Sequence, residues 1–111
     1  MLSEEKQELI ERIEAEIENS VIDPELGVDV VNLGLIYNID VDDEKNVHIR
    51  MTLTSMGCPL AGTIVQDIKT ALKDLRDFGE INDVDVEIVW NPPWDKSRMS
   101  RYAKIALGIP D

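Results

Sequence analysis

Hydrophobic residues follow two different periods along the chain, one typical of helices and the other typical of strands. Leu9, Ile13 and Ile17 recur every fourth residue in an otherwise charged segment, which predicts an amphipathic helix. Between residues 47 and 54 apolar and polar side chains alternate, which predicts a strand with one buried face. Over the whole chain these periods predict six elements in the order α-β-β-α-β-α, at residues 3–19, 35–41, 47–54, 59–78, 84–90 and 97–107.

The order of these elements restricts the fold. The polar residues 42–46 separate the first two strands, so the strands are expected to form an antiparallel hairpin. A helix between the second and third strands requires a parallel pair with a crossover. The sequence therefore predicts one α+β domain over residues 1–111, a small two-layer fold with helices packed on one face of a three-stranded mixed sheet. The strand orders 1-2-3 and 2-1-3 both satisfy this pattern.

Two tryptophans flank the Asn91-Pro92-Pro93 stop that follows the third strand. Trp90 continues the apolar alternation of the strand, so we expect it in the core. Trp94 lies beyond the prolines, so we expect it to be exposed and to contact a partner.

Acidic side chains dominate the first part of the chain, and basic side chains cluster near its end. The 111 residues include 23 Asp and Glu against 11 Lys and Arg, a formal net charge of -12, and residues 1–44 carry this whole excess. Phosphate neutralisation needs basic side chains, so the balance argues against nucleic acid and anionic membranes as ligands. We interpret the acidic segment and the basic segment at residues 96–104 as solvated helix faces. The alternative is a docking patch, with Arg98 and Arg101 as partner contacts.

Targeting signals and disulfides are not expected. No apolar run approaches the roughly 18 residues that a membrane span requires, and the acidic N-terminal segment lacks the apolar core of a signal peptide. A single cysteine excludes an internal disulfide and a cysteine-rich metal cage. These features predict a cytoplasmic protein.

That cysteine, Cys58, is the residue best suited to chemistry. It precedes Pro59 at the predicted start of the second helix, so its sulfur is expected to face the free amides of Leu60 and Ala61. Those donors and the helix dipole stabilise a thiolate, which is both a nucleophile and a soft metal ligand. A buried structural cysteine is the alternative, but a glycine-rich junction between strand and helix favours the reactive interpretation.

Four polar residues are candidates to support Cys58. Thr52 and Thr54 lie on the predicted polar face of the second strand, where their hydroxyls could donate to a sulfur or a bound anion. Threonine is also simply a good strand former, and both interpretations stay open. Asp23 and Glu25 could supply hard metal ligands, although capping of a short turn is the favoured explanation of Asp23.

His48 is the only histidine. It is expected at the far end of the second strand, about 20 Å from the Cys58 loop at about 3.3 Å per residue. We therefore expect a surface residue rather than a catalytic base, and we assign no catalytic residue.

Three motifs occur in order along most of the chain. They are Asp23-Pro24-Glu25 followed by Asn32-Leu33-Gly34-Leu35-Ile36, then Thr52-x-Thr54-x-x-x-Cys58-Pro59, and last Pro93-Trp94. Together they resemble the SufT/PaaD-like family of iron–sulfur cluster assembly factors. The resemblance implies a small cytosolic domain that delivers or matures clusters on apo client proteins together with scaffold or carrier proteins. It matches Cys58 to the reactive cysteine of the family, and Asp23, Thr52 and Thr54 to its polar positions.

One thiolate cannot hold a cluster alone, because a [2Fe–2S] cluster usually takes four thiolate ligands. The expected cargo is therefore a transient iron ion or iron–sulfur cluster at Cys58. It would be bridged between the subunits of a homodimer or completed by ligands from a partner protein, and no stably bound cofactor is expected.

Three functions follow from these observations. The first is an accessory factor for iron–sulfur cluster assembly that acts through Cys58, without an independent catalytic cycle. The second is a thiol-based redox sensor or cysteine enzyme. The third is an adaptor that binds its clients through the acidic helix, Trp94 and the basic last helix, with no role for Cys58.

Overall fold

The computed structural model describes residues 3–23, 26–53 and 61–109 of the chain. That part of the protein contains four α-helices, one 3-10 helix and three strands. None of these helices has both the length and the apolar composition needed to cross a membrane. In chain order the elements are α1 (Ser3–Ser20), β1 (Ile36–Val41), β2 (Val47–Met51), α2 (Ala61–Ala71), α3 (Lys73–Asp77), β3 (Val84–Ile88), a 3-10 helix (Lys96–Arg98) and α4 (Arg101–Leu107).

The three strands form one mixed sheet in the order β1-β2-β3. β1 is antiparallel to β2, and β2 runs parallel to β3 after the crossover through α2 and α3. The predicted α+β class and mixed sheet are confirmed, and the sheet has the sequential strand order of the two that the pattern left open. A bulge at Tyr37 interrupts the first ladder, because Ile36 opposes Met51 whereas Asn38 opposes Arg50.

The two faces of the sheet differ in polarity. The apolar face packs against the helices, and its Ile39 and Ile49 join Ile13 and Ile17 of α1 in one buried cluster. Burial of each such side chain contributes about 1.5–3 kcal/mol relative to exposure. The opposite face is polar, with Asn38, Asp40, Arg50, Asp85 and Glu87 exposed. The predicted alternation is therefore confirmed within β2 and β3.

The turn between β1 and β2 is closed by its own side chains. The Asp42 carboxylate accepts the backbone N–H groups of Glu44 and Asn46, each at 2.9 Å. These bonds, chiefly those from Asn46, hold the pKa of Asp42 below its usual range. Lys45 completes the turn with a left-handed φ of 66°, and its carbonyl accepts the Asn82 N–H at 2.7 Å.

The helix predicted over residues 59–78 is divided at Leu72 into α2 and α3. Leu72 has φ -95° and ψ 1°, outside the helical region. Its N–H still donates to the Ile68 carbonyl at 3.1 Å, and its carbonyl accepts from Arg76 at 3.1 Å. The hydrogen-bond ladder continues through the break, so the buried Leu72 side chain keeps its place on the apolar stripe. Gly79 follows α3 in the left-handed conformation, at φ 75°.

The last helix also differs from its predicted span of residues 97–107. The extended residues Met99 and Ser100 separate the 3-10 helix from α4. Met99 is buried, and the Ser100 N–H donates to the Asn32 carbonyl at 2.8 Å. The Ser100 hydroxyl then caps α4 by accepting the Ala103 N–H at 3.2 Å. The chain is anchored to Asn32 at this point, so one continuous helix cannot form.

Gly34 is the point where the segment after β3 meets the loop before β1. Its φ is 79°, and a Cβ atom at this position would lie 2.2 Å from the carbonyl oxygen of Arg98. Beside it, the Trp94 indole N–H donates to the Leu33 carbonyl at 2.7 Å. The Tyr37 hydroxyl donates to the Pro92 carbonyl at 2.8 Å. These contacts hold the C-terminal segment against the loop.

Ion pairs connect α1 with distant turns. The Arg12 guanidinium donates to both carboxylate oxygens of Glu80, at 2.6 and 2.8 Å, and Lys6 lies 3.0 Å from Asp43. Within the described residues, no ion pair joins α1 to the basic segment 96–104. Within these residues the two charged segments are therefore not paired with each other.

Replacing Gly34 with alanine should destabilise the protein more than the same replacement at Gly27. Both glycines have positive φ, 79° and 72°, so each substitution is expected to cost about 1–2 kcal/mol of backbone strain. Only at Gly34 does the added methyl group meet backbone atoms, which should remove about 1–3 kcal/mol more. Urea unfolding of both variants measures the difference. Equal losses in the free energy of unfolding would contradict the close approach at Gly34.

The Arg12–Glu80 pair should make stability depend on pH in acid. The hydrogen bond and charge of Arg12 lower the pKa of Glu80. A carboxyl whose pKa falls on folding stabilises the protein above its ordinary pKa and loses that contribution as pH falls through the lowered value. Glu80→Gln should therefore reduce the loss of stability below about pH 4.3. Asp77→Asn is the control, since no ion pair among the described residues involves Asp77. Denaturation curves with the same pH slope for both variants would contradict the prediction.

Candidate functional site

The carboxyl ends of β2 and β3 form the sheet edge at which the sequence places its candidate chemistry. Because the two strands are parallel, these ends lie together, with Met51 opposite Ile88. The ladder extends one residue further, where the Val89 N–H donates to the Met51 carbonyl at 2.8 Å. Beyond Met51 the chain continues through Thr52 and Leu53, and both residues are buried.

Three predicted site residues lie outside the described residues. They are Glu25, Thr54 and Cys58. Their assignments as supporting residues, and as the transient iron or cluster ligand in the case of Cys58, stay predictions.

Thr52 is buried, whereas the sequence pattern placed it on a polar strand face. Only 1% of its surface is exposed, and its N–H donates to the Leu35 carbonyl at 2.9 Å. Its hydroxyl has no hydrogen-bond partner among the described residues. A buried hydroxyl without a partner destabilises a protein by about 1–3 kcal/mol. Such groups are rare in native proteins and are typical of positions that meet a ligand or a water molecule.

Asp23 caps a turn, which is the interpretation that the sequence favoured. It is buried, and its carboxylate accepts the Leu26 N–H at 3.1 Å. Its backbone carbonyl accepts the Gly27 N–H at 2.8 Å, and Gly27 has a left-handed φ of 72°. Within the described ranges, no group of three or more His, Cys, Asp and Glu side chains is arranged to hold a metal ion. The hydrogen bonds of Asp23 to Leu26 and Gly27 shape the loop after α1, and its role as a supporting site residue stays a prediction.

His48 lies on the polar face of the sheet, as predicted. Its ring nitrogens lie 2.9 Å from a carboxylate oxygen of Asp85 and 3.3 Å from one of Glu87. Both partners are on β3, and His48 belongs to the first half of β2. The ring is therefore engaged across the strands and points away from the apolar face.

The expectation that Trp90 lies in the core is wrong. Trp90 is 41% exposed, because β3 ends at Ile88 and the alternation does not reach it. Trp94 is partly buried against the core, and its indole N–H donates to the Leu33 carbonyl. Trp94 is therefore less exposed than expected, and its role as a partner contact stays a prediction.

Asp29, a buried carboxylate in the loop before β1, was not among the candidate residues that the sequence pattern indicated. Its oxygens accept the backbone N–H of Asn32 at 2.9 Å and the side-chain N–H of Asn32 at 2.8 Å. The Asn32 side-chain oxygen accepts the Ser100 hydroxyl at 2.6 Å. This chain of bonds orients the loop that carries Gly34. An Asp three residues before an Asn, close to a glycine, is typical of such turns and was the available signal.

The two basic partner contacts predicted from the sequence differ in their surroundings. Arg101, the first residue of α4, is exposed. The Arg98 guanidinium lies over the ring of Tyr37, with its central carbon 4.6 Å from the ring centroid. Neither forms an ion pair with another described residue, so both present their charge to an approaching molecule.

Comparison with known proteins places this arrangement in a family. The model of a family described as iron–sulfur cluster assembly protein matches residues 7–87. The chain is 64% identical over 89 residues to the Fe–S protein maturation auxiliary factor YitW of Bacillus subtilis, covering 80% of this chain and 84% of that protein. It is 58% identical over 89 residues to the Fe–S protein maturation auxiliary factor SufT of Staphylococcus aureus, covering 80% of this chain and 98% of that protein.

The fold gives the same result. A crystal structure of a domain of unknown function from Bacillus anthracis matches with a TM-score of 0.88 and 50% identity, covering 98% of this chain and 100% of that one. The family match runs from α1 to β3 and includes Thr52 and Cys58. The chain therefore belongs to the iron–sulfur cluster assembly protein family, which confirms the resemblance that its motifs indicated.

Proposed function

We propose that this protein is an accessory factor for the maturation of iron–sulfur proteins, in which Cys58 binds the iron or cluster cargo transiently. The two relatives described above are named Fe–S protein maturation auxiliary factors, which supports the role in cluster assembly. The use of Cys58 is the finer part of the proposal. It rests on the chemistry of the sequence and on the surroundings of Thr52.

The observation that carries the proposal is the buried hydroxyl of Thr52 without a partner among the described residues. Thr52 lies six positions before Cys58 in the sequence. The described range that contains Thr52 ends at Leu53. A hydroxyl in a water-poor position can donate to a thiolate or to a cluster sulfide, and it gains this hydrogen bond only when the acceptor is present. In our proposal Thr52 and Thr54 supply such donors to the sulfur and its cargo.

Cys58 is suited to transfer rather than to storage. It is the only thiol of the chain, and a thiolate is a soft ligand that iron accepts. With one thiolate where a cluster usually takes four, the remaining ligands must come from a second subunit or from a partner. A cargo held in this way leaves readily when the partner supplies better ligands.

The partners we propose are scaffold or carrier proteins that supply a cluster, and apo client proteins that receive it. Arg98 and Arg101 are the proposed contact residues, since both are exposed and neither is paired with a described carboxylate. Asp23 supports the site through the turn that it caps, and Glu25 stays a proposed supporting residue. A homodimer that shares one cargo between two Cys58 side chains is the proposed assembly if no partner is present.

Cys58→Ala should abolish the contribution of the protein to iron–sulfur enzyme activity in cells that lack the native copy. The variant removes the only thiolate, so activity should fall to the level without the protein. Anaerobic reconstitution with iron and sulfide, followed by absorption spectra of both chains, tests the same loss in vitro. Near-ultraviolet circular dichroism verifies that the variant is folded. Full enzyme activity with Cys58→Ala would overturn the proposal and would favour the adaptor function.

Thr52→Val and Thr52→Ser should have opposite effects on stability and on function. Valine removes a buried hydroxyl without a partner among the described residues, so the free energy of unfolding should rise by about 1 kcal/mol while cluster maturation falls. Serine keeps the hydroxyl and loses a methyl group, which should cost about 1 kcal/mol of stability and preserve maturation. Urea unfolding and the client enzyme assay measure the two quantities. A valine variant with undiminished maturation would remove Thr52 from the proposed site.

A further inference from the structure

A cleft of about 520 Å³ opens between β1, the segment that follows β3 and the 3-10 helix. Its described lining includes Tyr37, Asn38, Arg50, Asn91 and Arg98. Two of these residues are arginines, and no described residue of the lining is acidic. In a chain with 23 acidic and 11 basic residues, such a lining creates a local positive site on a negatively charged protein.

The Arg98 side chain is held in place before any ligand arrives. Its guanidinium lies over the Tyr37 ring, with its central carbon 4.6 Å from the ring centroid. The ring is fixed in turn, because the Tyr37 hydroxyl donates to the Pro92 carbonyl at 2.8 Å. Behind it, the backbone of Arg98 rests against Gly34. Since the side chain is already ordered, little conformational entropy is lost when it binds a ligand.

The N–H donors of Arg98 have no acidic partner in the described part of the chain. Asp95 is three residues away, but its carboxylate accepts the backbone N–H of Ser97 at 2.6 Å and caps the 3-10 helix. A guanidinium stacked on a ring keeps its in-plane donors free. Arg98 can therefore offer a fork of N–H groups to a planar or tetrahedral anion.

Arg50 is the second cation of the cleft, and it is held only loosely. Its Nε lies 3.8 Å from the Glu87 carboxylate, which is longer than a hydrogen bond. The same carboxylate oxygen lies 3.3 Å from a ring nitrogen of His48, so it is shared between two groups. A ligand with a stronger negative charge can therefore compete for Arg50.

We propose that this cleft binds an oxyanion, the carboxylate or phosphate group of a ligand, between the guanidinium groups of Arg50 and Arg98. Arginine recognises both groups through paired N–H···O bonds. The side-chain amides of Asn38 and Asn91 add donors at the rim, and Ile36 and Pro92 offer apolar contacts to the carbon skeleton of the ligand. The volume is typical of clefts that take a small organic molecule rather than a bare ion. This site goes beyond the proposed maturation function and does not depend on Cys58.

Titration of the isotope-labelled full chain with citrate and with pyrophosphate tests the site. Two-dimensional amide spectra should show saturable shifts at Gly34, Tyr37, Asn38 and Asn91, and added salt should weaken them. Tighter binding of citrate assigns a carboxylate ligand, and tighter binding of pyrophosphate assigns a phosphate ligand. Cys58→Ala should bind as the native chain does, so failure of the maturation proposal leaves this result intact.

Matched variants separate the site from general charge effects. Arg98→Gln and Arg50→Gln should each weaken binding by about tenfold, because each removes hydrogen bonds to a charged ligand. Arg101→Gln removes the same charge outside the described lining and should change the dissociation constant by less than about twofold. Glu87→Gln should tighten binding, because it frees Arg50. Asp85→Asn makes the same charge change without contacting Arg50, and its effect should be smaller.

Tighter anion binding by Glu87→Gln cannot result from misfolding. It therefore controls for the possibility that the arginine variants lose binding only because they are misfolded. Two results would overturn the proposal. The first is the absence of saturable shifts with both probes. The second is an equal loss of binding in Arg98→Gln and Arg101→Gln, which would show that the anions respond only to total charge.

Discussion

The structure depends on the absence of a side chain at Gly34. The carbonyl oxygen of Arg98 occupies the space that a Cβ atom would take, 2.2 Å from its ideal position. Because the backbones meet there, Trp94 can reach the Leu33 carbonyl and Tyr37 can reach Pro92. The segment after β3 is thereby fastened to the loop before β1. This close approach brings together Gly34, Tyr37, Pro92 and Arg98, which line the cleft.

The sheet edge formed by the carboxyl ends of β2 and β3 contains a buried polar group without a hydrogen-bond partner among the described residues. Three consecutive residues, Met51, Thr52 and Leu53, are buried where β2 ends, and the middle one has a hydroxyl without a partner in the described structure. Natural proteins keep such groups where function requires them, since an apolar side chain of the same shape would be more stable. Thr52 lies within the part of the chain that matches the iron–sulfur cluster assembly family, six positions before Cys58 in the sequence.

The sequence was sufficient for the order of the elements and for the family, because both depend on local patterns. The apolar periods of α1 and β2 reflect which face is buried, and the motif around Cys58 is contiguous. The break in the helix at Leu72 could not be predicted from the sequence, because the apolar stripe continues through it. The packing of Trp94 beside Leu33 and the stacking of Arg98 on Tyr37 result from contacts between residues about sixty positions apart. Periodicity carries no information on such contacts.

The hairpin turn at residues 42–46 forms at the end of β2 remote from Thr52, and it is closed by the carboxylate of Asp42. About five residues of strand, at about 3.3 Å each, lie between this turn and the candidate chemistry. Changes in this turn therefore lie far from Thr52, and they act first on the contacts that the turn makes with Lys6 and Asn82. A fluorophore attached to this turn would report the location of the protein in the cell, and it would lie at the end of β2 remote from Thr52.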